Sequence, residues 1–476
     1  MPNRLLTPPA THRCHASSLV GRQVIGVTAM LAEYSKLNSS CLSSHVTDTD
    51  AMPLESAGPT KRCPIMPPME ELPFGADRTS GWKAVQELGD VAMSHDGSYF
   101  LIGADAVNGA AKDVARFSSE GAFAMLGSPI PLIPIGVDPP VHSRYRMKLN
   151  KFFGPRAMAQ HEAEFRSQID RLIDRILDRG PICDVVEDLA VPFPTQVFLT
   201  LFGLPIEDSE RLIRWKNAIV RLIDPQSATT QPEVLGAAAE LFAYLSQAIQ
   251  ERRVGDGADL LSQLIADRDG GGLTDEEVLG ICFVLVVAGL DTVTASIGFV
   301  LLALARNPGL RQRLRADESA RMAFIEEVLR VDGPVPSVPR FVSEDVVVDG
   351  VTIPSGATCW LMFGSASRDP RRYEAPDDIG EQRVSNFAFG RGPHRCLGSH
   401  LALLELKLIV EQWLDRVPHF DVVGSPEVLW PSGSLSLISL PLRIGLPDGP
   451  PGADVASPQS GDVGSISASS RQASLP

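Results

Sequence analysis

Phe389-Gly390-Arg391-Gly392-Pro393-His394-Arg395-Cys396-Leu397-Gly398 places one cysteine among glycines, directly ahead of an apolar helical run from Leu397 to Leu414. A thiolate that ligates a metal needs its negative charge tolerated, backbone N–H groups aimed at the sulfur, and room for a large ligand. Gly390, Gly392 and Gly398 allow tight turns and close backbone approach. The helix that follows turns its positive end toward the sulfur, an environment expected to lower a thiol pKa. His394 and Arg391 add donors suited to a carboxylate-bearing ligand. The alternative is a buried structural cysteine in a glycine-rich turn.

Working outward, the chain holds a second unusual stretch about a hundred residues upstream. Thr274-Asp275-Glu276-Glu277 has the form of a capping box and opens a helix that runs to Arg306, where Asn307-Pro308 stops it. Such a helix is roughly 48 Å long. It is apolar all round from Ile281 to Val287, so it is expected to be buried. Its middle reads Ala288-Gly289-Leu290-Asp291-Thr292. Glycine, a carboxylate and a hydroxyl are costly in a buried helix, which points to a function, although a kink with a satisfied threonine has the same composition. Two charged pairs also sit at helical spacing. His142 and Arg146, after Asp138-Pro139-Pro140, lie four apart on one face; Glu327 and Arg330 lie three apart. Either could be an ordinary solvated or paired face.

Together these stretches resemble the cytochrome P450 family. The cysteine loop matches the family pattern Phe-Gly-x-Gly-x-His-x-Cys-x-Gly at every fixed position, and the helical stretch resembles its oxygen-activation motif, Ala-Gly-x-Asp/Glu-Thr. The resemblance implies a mostly helical α+β fold with small sheets and a long central helix over haem b. Cys396 would be the axial thiolate ligand, a ligand type that favours O–O cleavage. His142, Arg146, Arg340 and His394 would meet the haem carboxylates, with Phe389, Gly390 and Gly398 shaping the loop. Ala288 and Gly289 would line the haem, Gly289 leaving space for O2, while Thr292 and Asp291 would supply protons. Glu327 and Arg330 would be buried behind the haem with Arg383 as their third partner.

The implied activity is that of a monooxygenase acting on an apolar small molecule such as a terpenoid, steroid, fatty acid or polyketide. No dinucleotide fingerprint or ferredoxin-like cysteine cluster is present, so electrons would come from a separate ferredoxin and its reductase. Arg144, Lys148, Arg391 and Arg395 are candidates for the docking face. Members of the family that run on peroxide carry Arg-Pro in place of the acid–alcohol pair, and keeping Asp291-Thr292 argues against that chemistry. A haem-thiolate sensing protein would not need the pair.

Composition is compatible. Forty-four per cent hydrophobic residues and 21% charged residues suit a globular protein, and a net charge of −15 argues against a nucleic-acid binder. Seven cysteines without CxxC spacing suit the reduced thiols of a cytoplasmic monomer. No uninterrupted apolar run reaches the length of a membrane span. Residues 1–62 and 448–476, rich in Ser, Thr, Pro, Gly and Ala, are expected to be disordered extensions around a single domain, residues 63–447, with Met30 or Met52 as alternative starts. A chain beginning at Met52 is therefore expected to match the full chain in melting temperature and haem content; a large loss of either would make the extension part of the fold.

Overall fold

The computed structural model describes residues 61–75, 77–124, 130–220, 231–255, 257–266, 272–380, 385–429 and 434–445. Residues 1–60 and 446–476 and Arg383 lie outside these residues, as does most of the polar Gln226–Glu233 stretch. The helices that position the site are α1 (Ala104–Lys112), α2 (Val141–Phe153), α3 (Glu162–Arg179), α4 (Pro192–Leu201), α5 (Ser209–Val220), α6 (Gln231–Arg253), α7 (Asp275–Arg306), α8 (Ala320–Val331) and α9 (Ser399–Arg416).

Helix α7 is the axis of the molecule. The capping box at its start is complete: Glu277 N–H donates to Thr274 Oγ1 at 3.1 Å, and Thr274 N–H donates to Glu277 Oε2 at 2.7 Å. Asn307 ends it and caps the next helix, whose first residue is Pro308. By length and apolarity α7 could cross a membrane, but here it is the core helix of a globular fold. Helices α4, α5, α6, α8 and α9 and the strands His419–Val422 and Ser436–Ser439 all pack on it. Val278, Ile281, Cys282, Val286, Ile297 and Val300 are completely buried along it. Each such apolar side chain contributes about 1.5–3 kcal/mol through burial.

Other expected elements form where the pattern puts them. Phe165, Ile169, Leu172, Ile173 and Ile176 are the buried stripe of α3, which Gly180 ends at φ 121. Phe193 to Phe202 fills the core, where Phe193, Leu199 and Phe202 are fully buried.

The largest sheet has five strands in the order β1-β2-β7-β4-β3: β1 (Val91–Met93), β2 (Tyr99–Leu101), β3 (Phe117–Ser118), β4 (Val338–Val342) and β7 (Thr358–Leu361). Strands β5 (Val346–Val348) and β6 (Val351–Ile353) make a hairpin. Its turn residues Asp349 and Gly350 both have positive φ, as a tight two-residue hairpin requires.

Beneath the core, Arg330 on α8 is fully buried and paired to both oxygens of Glu327, at 2.8 and 3.0 Å. Its remaining donors reach the carbonyls of Pro376 (2.6 Å), Asp378 (2.7 Å) and Ser367 (3.2 Å). One guanidinium thus fastens the irregular segment 367–380 to α8. Truncating it strands the Glu327 carboxylate and three carbonyls in the interior. Arg330→Ala is expected to lose about 3–5 kcal/mol, read as a large fall in melting temperature; a change within about 1 kcal/mol would show that the pair is dispensable.

Candidate active site

The cysteine loop is shaped by two glycines rather than three. Gly390 and Gly392 sit at φ +66 and +68, in the left-handed region. A Cβ on Gly392 would come within 2.1 Å of the Ala111 carbonyl oxygen at the end of α1, so no other residue fits there without moving backbone. Gly398 departs from expectation: its φ is −82, and no atom lies within 4 Å of where its Cβ would be. Neither the turn nor the packing within the chain demands a glycine there; it stands at the cap of α9 beside open space. Cys396 N–H donates to the Phe389 carbonyl at 2.8 Å, and Gly390 N–H to that of Phe387 at 2.8 Å. These bonds close the loop and hold the cysteine outward from it.

Cys396 is accessible to water yet heavily surrounded by protein. Burial pushes the Cys396 thiol up, against the pull of the Gly398 N–H and the charges of Arg146 and Arg395. The lowered pKa expected from the sequence is thus not found, because desolvation outweighs the helix terminus and its cations. A bound metal reverses that balance by taking the place of the proton.

Beside the cysteine, chains from three parts of the sequence converge. His142 on α2 and His394 in the loop have ring centroids 4.2 Å apart. Arg340, on β4 inside the sheet, is 4% exposed and acts electrostatically on His394. Burial lowers both imidazole pKa values, that of His394 to about 4, and it brings the Arg340 guanidinium down to about 10. At neutral pH the imidazoles are therefore uncharged donors and Arg340 is a cation. Arg146, half-buried on α2, donates to the Arg395 carbonyl at 2.8 Å and interacts with Cys396. Reading His142 and Arg146 as a solvated face fails, since His142 is only 3% exposed.

Three buried polar atoms of this cluster, His142 Nδ1, His394 Nε2 and Arg340 Nε, have no hydrogen-bond partner. Asp138 stands 3.5 Å from His394 Nε2, too far for a good bond, and spends its oxygens on Ser118 Oγ (2.5 Å) and Ser119 N–H (3.0 Å). Each unmet buried donor costs about 1–3 kcal/mol. Donors left open in a group, with guanidinium charges beside a cysteine, fit a ligand bearing carboxylates; haem carries two. Arg391 also has an unpartnered buried atom, Nε, but its guanidinium is held elsewhere. Its Nη2 donates to Ser385 O (2.8 Å) and Oγ (3.0 Å), and its guanidinium lies over Phe387, so it braces the loop from behind.

On α7, Ala288 and Gly289 are exposed in the middle of an otherwise buried helix, and a Cβ on Gly289 would meet nothing within 4 Å. Thr292 Oγ1 donates to the Ala288 carbonyl at 2.9 Å. Asp291 is ion-paired with Lys216 of α5, a lysine only 5% exposed. Sequence reasoning missed Lys216. Its signal was a lone lysine on the face of α5 whose other residues, Leu212, Trp215 and Ile219, are buried.

The fold and this site define a haem-thiolate oxidoreductase. The family model for cytochrome P450 matches residues 91–428. The chain belongs to that family, whose members hold haem iron through a cysteine thiolate, here Cys396, and act as monooxygenases. Among its relatives, the cytochrome P450 monooxygenase PikC of Streptomyces venezuelae is 36% identical over 64% of this chain and 74% of its own. Vitamin D(3) 25-hydroxylase of Pseudonocardia autotrophica is 33% identical over 67% and 80%. Two solved structures align over nearly their whole length. P450BioI, in complex with hexadec-9Z-enoic acid ligated acyl carrier protein, matches 78% of this chain and all of its own, with a TM-score of 0.72 and 26% identity. A mutant of P450 EryK in complex with erythromycin B matches 79% and 99%, with a TM-score of 0.71 and 29% identity.

Ligation by Cys396 has a spectroscopic signature. The reduced, carbon-monoxide-treated protein is expected to show the red-shifted absorption of thiolate-ligated haem, and Cys396→Ala to lose it. A wild-type protein that takes up no haem when supplied with it would refute the assignment.

Proposed function

We propose that this protein inserts one oxygen atom of O2 into an apolar small molecule bound in the cleft between Cys396 and the middle of α7. The reaction balances as substrate C–H plus O2, two electrons and two protons giving C–OH and water. The observation that carries this reading is the cluster of unpartnered donors on His142, His394 and Arg340 beside a free cysteine that is accessible to solvent. In this reading those three residues and Arg146 hold the haem carboxylates, and Cys396 holds the iron. Haem, when bound, supplies the redox chemistry that activates O2.

The chain's own contribution on the α7 side is space and protons. Ala288 and Gly289 leave the wall of the cleft low. Thr292 carries one hydroxyl hydrogen, which it donates to the Ala288 carbonyl, so in this reading the hydroxyl turns away from that carbonyl to donate toward the substrate side while its lone pairs accept from the side of Asp291. Lys216 holds the Asp291 carboxylate at the flank of that hydroxyl. A carboxylate–hydroxyl pair here favours O2 over peroxide as oxidant, since a peroxide reaction needs no protons delivered to O2.

The substrate class rests on the relatives, one named for vitamin D(3) and others captured with a fatty acyl carrier protein or erythromycin B. These are large, mainly apolar molecules. Electrons come from a separate ferredoxin-type protein approaching the Cys396 side, where Arg395 is exposed and Arg144 and Lys148 lie along α2. Arg144 also faces Glu277 at 3.6 Å, and Arg391 is engaged with Ser385.

Screening compounds for a shift of the ferric haem spectrum identifies a substrate. With one in hand, Thr292→Ala is expected to keep haem content and substrate binding, because alanine is a good helix former. Product per NAD(P)H consumed should fall by about tenfold or more while hydrogen peroxide accumulates. An unchanged ratio would mean that Thr292 only satisfies the Ala288 carbonyl.

A further inference from the structure

Helix α2, which carries His142 and Arg146, is tied to α7 at a place that touches neither cysteine nor cleft. Tyr145 stands three residues from His142 and one from Arg146, and it is 6% exposed. Its hydroxyl donates to Glu277 Oε1 at 2.5 Å. The other oxygen of Glu277 takes the Thr274 N–H of the capping box, and Arg144 Nη1 lies 3.6 Å from Oε1. One carboxylate therefore closes the start of α7 and grips α2. Burial alone would push the Glu277 carboxyl up, but the Tyr145 hydroxyl and the Thr274 N–H hold it below the usual range. Burial and the same bond push the phenol up to about 12. The contact is thus a neutral donor on an ionised acceptor, which is the stronger type of hydrogen bond.

A second contact lies one turn along α7 on the same face, at spacing i, i+3. Gly280 is buried, and a Cβ there would come within 2.2 Å of the Pro131 carbonyl oxygen. The segment that leads into α2 is therefore in backbone contact with α7, which only glycine permits at this helical position.

We propose that Tyr145, Glu277 and Gly280 form a two-point clamp that fixes the separation of α2 from α7 and so positions His142 and Arg146 toward the haem carboxylates. Tyr145 is a positioning residue in this scheme and touches no reacting atom. The hydroxyl is the informative part. A buried ring at this position needs only apolar surroundings, whereas its oxygen is matched to a single carboxylate 132 residues away. A shift of α2 by a fraction of an ångström would misalign both donors at once, because they share its rigid backbone. The clamp rests on the proposed role of His142 and Arg146, so its test is built to separate the two.

The measurement is the rate at which haem passes from purified holoprotein to excess apomyoglobin. Tyr145→Phe is expected to release haem roughly tenfold faster, the order seen when an outer partner of a ligating group is removed. Tyr244→Phe is the control: its hydroxyl makes a like bond to Asp208 Oδ2 at 2.8 Å, between the chain just before α5 and α6. It should release haem at the wild-type rate. Gly280→Ala should accelerate release as Tyr145→Phe does. His142→Ala tests the anchor itself. Rapid loss from His142→Ala with a wild-type rate in Tyr145→Phe overturns the clamp and leaves the anchor standing. Equal acceleration in Tyr145→Phe and Tyr244→Phe also overturns it, since any lost tyrosine bond would then suffice. Wild-type retention in His142→Ala removes the anchor and the clamp together. If Tyr145→Phe yields no soluble holoprotein, Glu277→Gln is judged by the same comparisons.

Discussion

Burial of donors that the chain itself does not satisfy is the constraint around which this molecule is arranged. His142, His394 and Arg340 are withdrawn from water, yet each keeps an atom without a partner. A fold stable by only about 5–15 kcal/mol does not keep several such debts in one place without a return. In the proposed reading haem carboxylates provide that return, and the thiol beside them follows the same logic. Burial disfavours its ionisation, so the sulfur becomes a thiolate through the metal rather than ahead of it.

Holding those groups in place takes a frame that does not yield, and α7 is its axis. It packs on both helical and strand elements, and its polar exceptions are matched one by one. Thr294 Oγ1 reaches the Ala190 carbonyl at 2.9 Å, Asp291 meets Lys216, and Glu277 meets Tyr145. Only Ala288 and Gly289 are left bare along its middle. On the opposite side, the Arg330–Glu327 pair fastens the segment that delivers the chain to the cysteine loop. In the proposed reading the haem lies between two braced walls, one made by α7 and one by the loop and the head of α9.

Much of this was legible in the residues because its causes are local. The capping box of α7 formed as read, and the stripe of α3 and the Asp349–Gly350 turn likewise depend on side chains within a few positions of one another. Other features were set by partners that the motifs do not show. Arg391 was drawn away from the donor cluster by Ser385 and Phe387. Gly398 meets no crowding, whereas Gly392 is forced by α1, almost three hundred residues earlier. Lys216 and Tyr145 looked like ordinary members of amphipathic helices until their carboxylates arrived from α7.

By itself the sequence determined the family, the ligating cysteine, the long buried helix and the charged pairs, since spacing along a chain specifies which groups share a turn or a helical face. Tertiary structure alone decided what those groups face. Which donors stay unpartnered, which charges are neutralised, and how burial moves a pKa are all set by atoms that come from elsewhere in the chain. Desolvation depends on the whole surrounding shell, and that shell exists only once α2, α7, β4 and the cysteine loop have been brought together.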